Sequence, residues 1–129
     1  MKHRVLIVDD EQQIQQGLHD FFTDETRFDV RVAGSAEQAL KILEDFLPTV
    51  CIVDMRLPGM NGNEFIKIAR QRLNGCVFII HTGSTEYELP DDFPAMGITR
   101  NNVIGKPVSD MTVFLDKIAF NEKKSTKEL

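Results

Sequence analysis

The chain has no tryptophan, a single tyrosine (Tyr87) and only two cysteines among 129 residues. Two cysteines cannot build a disulfide scaffold. Cys51 and Cys76 belong to no CxxC or Cys/His pair, so the chain reads as a reduced, cytoplasmic protein. An excess of positive charge is also missing. Fifteen Lys and Arg stand against 20 Asp and Glu, for a net charge of −5, which excludes a basic nucleic-acid footprint on this stretch. No apolar run approaches the roughly 18 residues of a membrane helix. The start, MKHRVLIVDD, has a basic opening, but the apolar run Val5-Leu6-Ile7-Val8 is too short for a signal peptide and two acids follow it. His3, His19 and His81 are scattered, give zinc no cluster, and read as surface or strand-end residues. What remains is an ordinary globular balance, 42 % hydrophobic and 27 % charged, at a length that fits one domain.

Short dense apolar runs alternate with longer amphipathic stretches. The runs Val5–Val8, Val50–Val53 and Val77–Ile80 are rich in β-branched residues and read as strands buried on both faces. Phe28 to Ala33 and Val103-Ile104 are weaker strand candidates. Between them run helical periods: Ile14, Leu18, Phe21 and Phe22; then Ala36, Leu40, Leu43 and Leu47; then Phe65, Ala69 and Leu73; finally Met111, Leu115 and Ile118. Ser35 with Gln38 has capping-box spacing, Pro48 and Asn74-Gly75 are stops, and Ser109 is the expected N-cap of the last helix. Strands alternating with helices give a parallel α/β sheet, whose chemistry gathers at the carboxyl ends of the strands. No linker, repeat or low-complexity segment precedes residue 121, and residues 123–129 read as a polar tail or the start of a linker.

Those strand ends carry Asp9-Asp10-Glu11, Asp54, Thr82-Gly83 and Lys106-Pro107. A single strand-end Asp is often a helix cap. Several carboxylates on one rim repel one another unless a cation sits among them, and oxygen-only ligands of this kind suit Mg²⁺. A carboxylate beside Mg²⁺ and a lysine is set up to attack a phosphoryl group. The Thr82 hydroxyl and the backbone N–H of Met55 or Gly83 are placed to hold the remaining phosphoryl oxygens. Pro58-Gly59 and Asn61-Gly62 are turn dipeptides that return the chain tightly after Asp54 and present a carbonyl near it.

With VLIVDDE, Asp54 after a hydrophobic strand, the LPGMNG loop, Thr82-Gly83 and Lys106-Pro107 in this order, the chain resembles the receiver domain of bacterial two-component response regulators. The resemblance covers about residues 4–120. It implies a flavodoxin-like (βα)₅ doubly wound fold, a parallel sheet in the order 2-1-3-4-5, over a receiver domain at 1–122. It implies that Asp54 accepts a phosphoryl group from a sensor histidine kinase or a histidine phosphotransfer protein. Mg²⁺ would be bound by Asp10 directly, by Asp9 mainly through water, by Asp54 and by the Arg56 carbonyl. Thr82 would be the switch hydroxyl and Lys106 the phosphate-contacting cation. Such a domain is a signalling switch rather than an enzyme acting on outside substrates. It serves an output domain beyond residue 129 or a separate partner, or pairs as a receiver homodimer, without binding nucleic acid or membrane itself.

Two features depart from that pattern. The family usually has an aromatic residue three before the lysine, where this chain has Val103. The region of the fourth helix carries Pro90 and Pro94, which predicts a short or irregular helix with Pro90 at its first position, Asp91 and Asp92 in its first turn and Gly97 after its end. Tyr87 is expected as a loop anchor there. Cys51 and Cys76, counted back from Asp54 and Thr82, would be offset by about 10 Å, beyond the ~7 Å limit of a disulfide, and are expected as separate packing residues. Two other readings compete. A haloacid-dehalogenase-type enzyme also uses an Asp nucleophile, but places D-x-D after strand one. A receiver-like module that does not use phosphate would leave the intact Asp9, Asp10, Asp54, Thr82 and Lys106 set without a purpose.

Overall fold

The computed structural model describes residues 3–127, with side chains through residue 122. Five strands form one parallel sheet: β1 (Arg4–Val8), β2 (Asp29–Ala33), β3 (Val50–Val53), β4 (Val77–Thr82) and β5 (Val103–Gly105), in the order β2-β1-β3-β4-β5. Four α-helices lie among the described residues: α1 (Gln12–Glu25), α2 (Ala36–Ile42), α3 (Gly62–Arg72) and α4 (Thr112–Lys127). Every residue of β3 and β4 is buried, as the dense runs require of strands covered on both faces. Leu6, Val8, Cys51, Val53, Phe78 and Ile80 pack on the side of α2 and α3. Val5, Ile7, Val50, Ile52, Val77 and Ile79 pack with Leu18 and Phe22 of α1 and Phe114 and Ile118 of α4. Alternate residues of each strand thus feed two cores, one per face.

Several helix details differ from the sequence expectation. Helix α2 stops at Ile42, so Leu47 leaves the stripe and is 61 % exposed, while Phe46 turns into the core after the chain bends. Ser35 caps α2 as expected, accepting the Gln38 N–H at 3.1 Å, but the Gln38 side chain accepts the Gly34 N–H instead of closing a capping box. Helix α4 buries Ile118 as expected and adds Phe114, while Met111, just before the helix, and Leu115 are partly buried against the same core; the Asp110 carboxylate, not Ser109, receives the Thr112 N–H. The backbone of 123–127 continues α4, and residues 128 and 129 lie outside the described residues.

None of the described residues between β4 and β5 is α-helical. The chain makes a turn closed by Phe93 N–H to the Pro90 carbonyl, then single 3₁₀ turns at Pro94–Met96 and Arg100–Asn102. The short helix therefore begins at Pro94, not Pro90. Pro94 has no N–H to give the Pro90 carbonyl, and its ring crowds that carbonyl, so no α-turn can pass through both prolines. Gly97 ends the turn at φ 82, in the left-handed region glycine favours. Phe93 and Ile98 pin this segment into the α3-side core.

The two cysteines also depart from expectation. Val53 pairs with Ile80, so β4 extends past the end of β3 and Thr82 lies beyond the level of Asp54. Cys51 therefore faces Phe78, and Cys76 lies only two residues before it. An even offset keeps both side chains on one face. Their sulfurs are 3.7 Å apart, as free thiols.

Candidate functional site

The strand order reverses beside β1, and the carboxyl ends of β1 and β3 lie side by side there. Asp9 and Asp54 are the residues that leave those two ends, and backbone bonds fix both: Asp9 N–H to the Ala33 carbonyl at 3.0 Å, and Asp54 N–H to the Val8 carbonyl at 2.9 Å. Both carboxylates are buried. Lys106, one residue past β5, reaches across to them. Its Nζ lies 2.8 Å from Asp9 Oδ2, 2.7 Å from Glu11 Oε2 and 3.4 Å from Asp54 Oδ2.

Three carboxylates thus converge on one ammonium. Burial holds the Asp9 carboxyl above its ordinary value, against the lowering effect of Lys106 and of the Glu11 N–H. Burial alone would lower the Lys106 pKa, but the hydrogen bonds it donates to Asp9 and Glu11 more than offset it and leave it raised. Glu11 is lowered by its hydrogen bond with Lys106. One oxygen each of Asp9, Glu11 and Asp54 lie within 4.8 Å of one another, the one such group among the described residues. A hard divalent cation fits that donor set, because oxygen ligands of net negative charge are what Mg²⁺ takes.

Asp10, expected as a direct ligand, is exposed and stands outside this group, whereas Glu11 stands inside it. Glu11 was visible in the sequence only as the third acid of a run. What brings it in is its position before α1, where its side chain makes no cap bond and turns to Lys106 instead. Thr82 is buried at the end of β4, and its hydroxyl oxygen accepts the Ser84 N–H at 3.2 Å. The Lys106 N–H donates to the Thr82 carbonyl at 2.8 Å, which ties the lysine to the same strand end. Gly83 is exposed, with Lys106 Cβ 3.9 Å from where its own Cβ would stand.

The loop after Asp54 is held at three points. The Arg56 N–H donates to Asp54 Oδ1 at 3.3 Å. Glu37 of α2 accepts the Met60 N–H at 3.0 Å, a clamp that no sequence signal announced because it joins residues 23 apart. Asn61 and Gly62 do not form the expected turn: Asn61 is the N-cap of α3, in a full capping box with Glu64. Gly62 lies against the site itself, since a Cβ there would stand 2.3 Å from the Asp54 carbonyl oxygen. Behind the site, His81 is buried on the opposite face of β4, its ring edge-on to Phe114 at 5.1 Å. It is a core residue rather than a surface one. Neither ring nitrogen has a hydrogen-bond partner among the described residues, and burial, with Lys106 nearby, pushes its pKa down to about 4.

The response regulator receiver domain, as a family model, matches residues 5–118. This chain belongs to that family. The receiver is 33 % identical over 120 residues to a protein-glutamate methylesterase/protein-glutamine glutaminase 2 of Paramagnetospirillum magneticum, covering 92 % of this chain and 34 % of the relative. It is 37 % identical over 86 residues to the transcriptional activator protein ExaE of Pseudomonas putida, covering 66 % and 40 %. The receiver thus spans less than half the length of these relatives. Among solved structures, a CheY-like receiver domain from Methanospirillum hungatei matches with a TM-score of 0.81 at 26 % identity over 100 % of both chains. Chemotaxis protein CheY4 of Vibrio cholerae matches with 0.80 at 25 % identity, over 93 % of this chain and 98 % of that one.

Proposed function

We propose that this receiver is switched by phosphorylation of Asp54, the phosphoryl group coming from a histidine of a sensor kinase or of a phosphotransfer protein. The observation that carries the reading is the buried Asp54 carboxylate at the end of β3, with Asp9 beside it and Lys106 reaching both. An Asp54 oxygen forms the new O–P bond as the donor's N–P bond breaks. Lys106 then exchanges carboxylate partners for phosphoryl oxygens, and Met55 and Gly83 offer backbone N–H groups to them. Thr82 donates its hydroxyl proton toward the new charge, since its oxygen already accepts from Ser84 and its hydrogen is available.

Asp9 and Asp54 would hold Mg²⁺, with Asp10 and the Arg56 carbonyl as the family pattern implies and Glu11 at the edge of the group. When bound, the metal neutralises charge on the transferring phosphoryl group. The domain's chemistry is this transfer and slow loss of the phosphoryl group; among the described residues, no strong base stands beside Asp54 to activate water. Residues 1–122 form the switching body, and the polar end of α4 leads toward an output domain or a partner. The relatives' names include a transcriptional activator and a methylesterase, which supports outputs of either kind. A receiver homodimer is a further mode of output. The acidic balance argues against direct nucleic-acid contact, and no helix among the described residues is long and apolar enough to cross a membrane. We place the protein in the cytoplasm, where kinases of this class present their phosphohistidine.

The test is intact mass after incubation with acetyl phosphate and Mg²⁺. The wild type gains one phosphoryl group and Asp54→Asn gains none. Equal labelling of the variant contradicts the assignment.

A further inference from the structure

We infer that Cys51 and Cys76 are a modification site: exposed to a small-molecule disulfide, they close to an internal disulfide, with Cys76 as the entry thiol and Cys51 as the resolving thiol. The two sulfurs are 3.7 Å apart, in van der Waals contact, on the α3-side face of the sheet. Their exposure differs and assigns the roles. Cys51 is fully buried and no reagent reaches it, whereas Cys76 is partly exposed at the start of β4.

A disulfide needs the sulfurs at about 2.05 Å, so one of them has to approach the other. Cys51 is locked mid-strand, paired with Phe78 and with Leu6 on either side. Cys76 lies before the first paired residue of β4, Val77, and follows Gly75, whose φ is +76. Cys76 itself has no strand partner, but the Val77 N–H that follows donates to the Thr49 carbonyl at 2.9 Å, so closure is a movement of the Cys76 side chain, with the Gly75–Cys76 backbone, toward Cys51.

The chemistry balances as two exchanges. The Cys76 thiolate attacks one sulfur of the small disulfide, forming a mixed disulfide and releasing one thiolate. Cys51 then gives up its proton and attacks Cys76 Sγ, releasing the second small thiol. The protein loses two hydrogens and the small disulfide gains them. Burial pushes the Cys51 thiol well up from its ordinary value, which makes the second exchange the slow one and speeds it as pH rises. The pair lies on the two strands that carry Asp54 and Thr82, at their opposite ends, so its closure needs nothing from the phosphoryl site.

The experiment treats the reduced chain with oxidised glutathione at about pH 7 and about pH 8.5, where thiolate fraction differs. Samples are quenched in acid, unfolded, alkylated and weighed intact. The wild type loses both alkylatable thiols, keeps no glutathione, is two hydrogens lighter, and does so faster at the higher pH. Cys51→Ala retains one glutathione on Cys76, and Cys76→Ala stays unmodified while folded. Three results overturn the inference: wild type that keeps glutathione on Cys76 with Cys51 still alkylatable at both pH values, chains joined to one another through Cys76, or no reaction at Cys76.

Discussion

Asp9 shows what burying a carboxylate costs. Its carboxyl titrates above the ordinary value, so the folded chain keeps a proton that the unfolded chain releases. That contribution is complete below the unfolded value of 3.8 and is lost as pH rises through the raised folded one, so at neutral pH Asp9 weakens the metal-free fold. Asp9→Asn is therefore expected to raise the thermal midpoint in chelator at neutral pH, and to shrink the gain that Mg²⁺ gives. Thermal unfolding with and without Mg²⁺ measures both, and a lower midpoint in chelator contradicts the account. His81 has the opposite sign. Its folded pKa near 4 lies below the ordinary 6.5, so between those values the unfolded chain binds the extra proton and stability falls as pH falls. The loss from pH 6.5 to about pH 5 is about 2 kcal/mol. His81→Leu keeps an apolar contact with Phe114 and is expected to flatten that slope, as read from urea unfolding at the two pH values. At this scale the strand-end rule named Asp9, Asp10, Asp54, Thr82 and Lys106, and the structure brings Asp9 and Asp54 to Lys106 while Asp10 stands outside the carboxylate group. The rule could not show Glu11 turning to Lys106, Glu37 reaching Met60 or His81 facing inward, because each depends on a neighbour far away in the chain.

Among the elements, α3 sets the site most directly. Its capping box fixes where the helix begins, and Gly62 lets its first turn lie against the Asp54 carbonyl. Gly62→Ala would bring a methyl within 2.5 Å of the Met55 Cε as well, with backbone on the other side. The expected cost is about 1–3 kcal/mol, together with slower acetyl-phosphate labelling because Asp54 shifts. Chemical denaturation and a labelling time course check the two effects. Labelling at the wild-type rate would separate Gly62 from the site. Sheet, helices and their order were legible, since dense β-branched runs and helical stripes have different periods. Helix ends were less so: α2 ends early and α4 presents Phe114, because packing rather than periodicity decides which of two adjacent stripes is buried. The cysteine offset failed for a register reason. Counting back from Asp54 and Thr82 puts those two residues level, whereas β4 runs past β3.

At the scale of the whole molecule, the sheet brings four strand ends to one rim, and the segment from Gly83 to Thr99 leaves that rim directly after Thr82 without an α-helix. That segment is held by Phe93 and Ile98 in the core, by Tyr87, Leu89 and Met96 packed against it, and by α3: the Tyr87 hydroxyl donates to Asn63 Oδ1 at 2.9 Å, Arg70 Nε donates to the Met96 carbonyl at 3.2 Å, and Lys67 pairs with Asp92 at 3.4 Å. Val103, at the usual aromatic position, pairs with Ile80 and is stiff at χ1, so no large ring is there to turn. A charge on Asp54 that draws the Thr82 hydroxyl withdraws it from Ser84, and the segment that follows shifts or loosens. The decisive measurement is backbone amide exchange with and without beryllofluoride and Mg²⁺, with Asp54→Asn as the control. The account predicts changed protection from Gly83 through Ile98 in the wild type and none in the variant. Unchanged exchange across that segment, with protection altered only around Asp54, would contradict it.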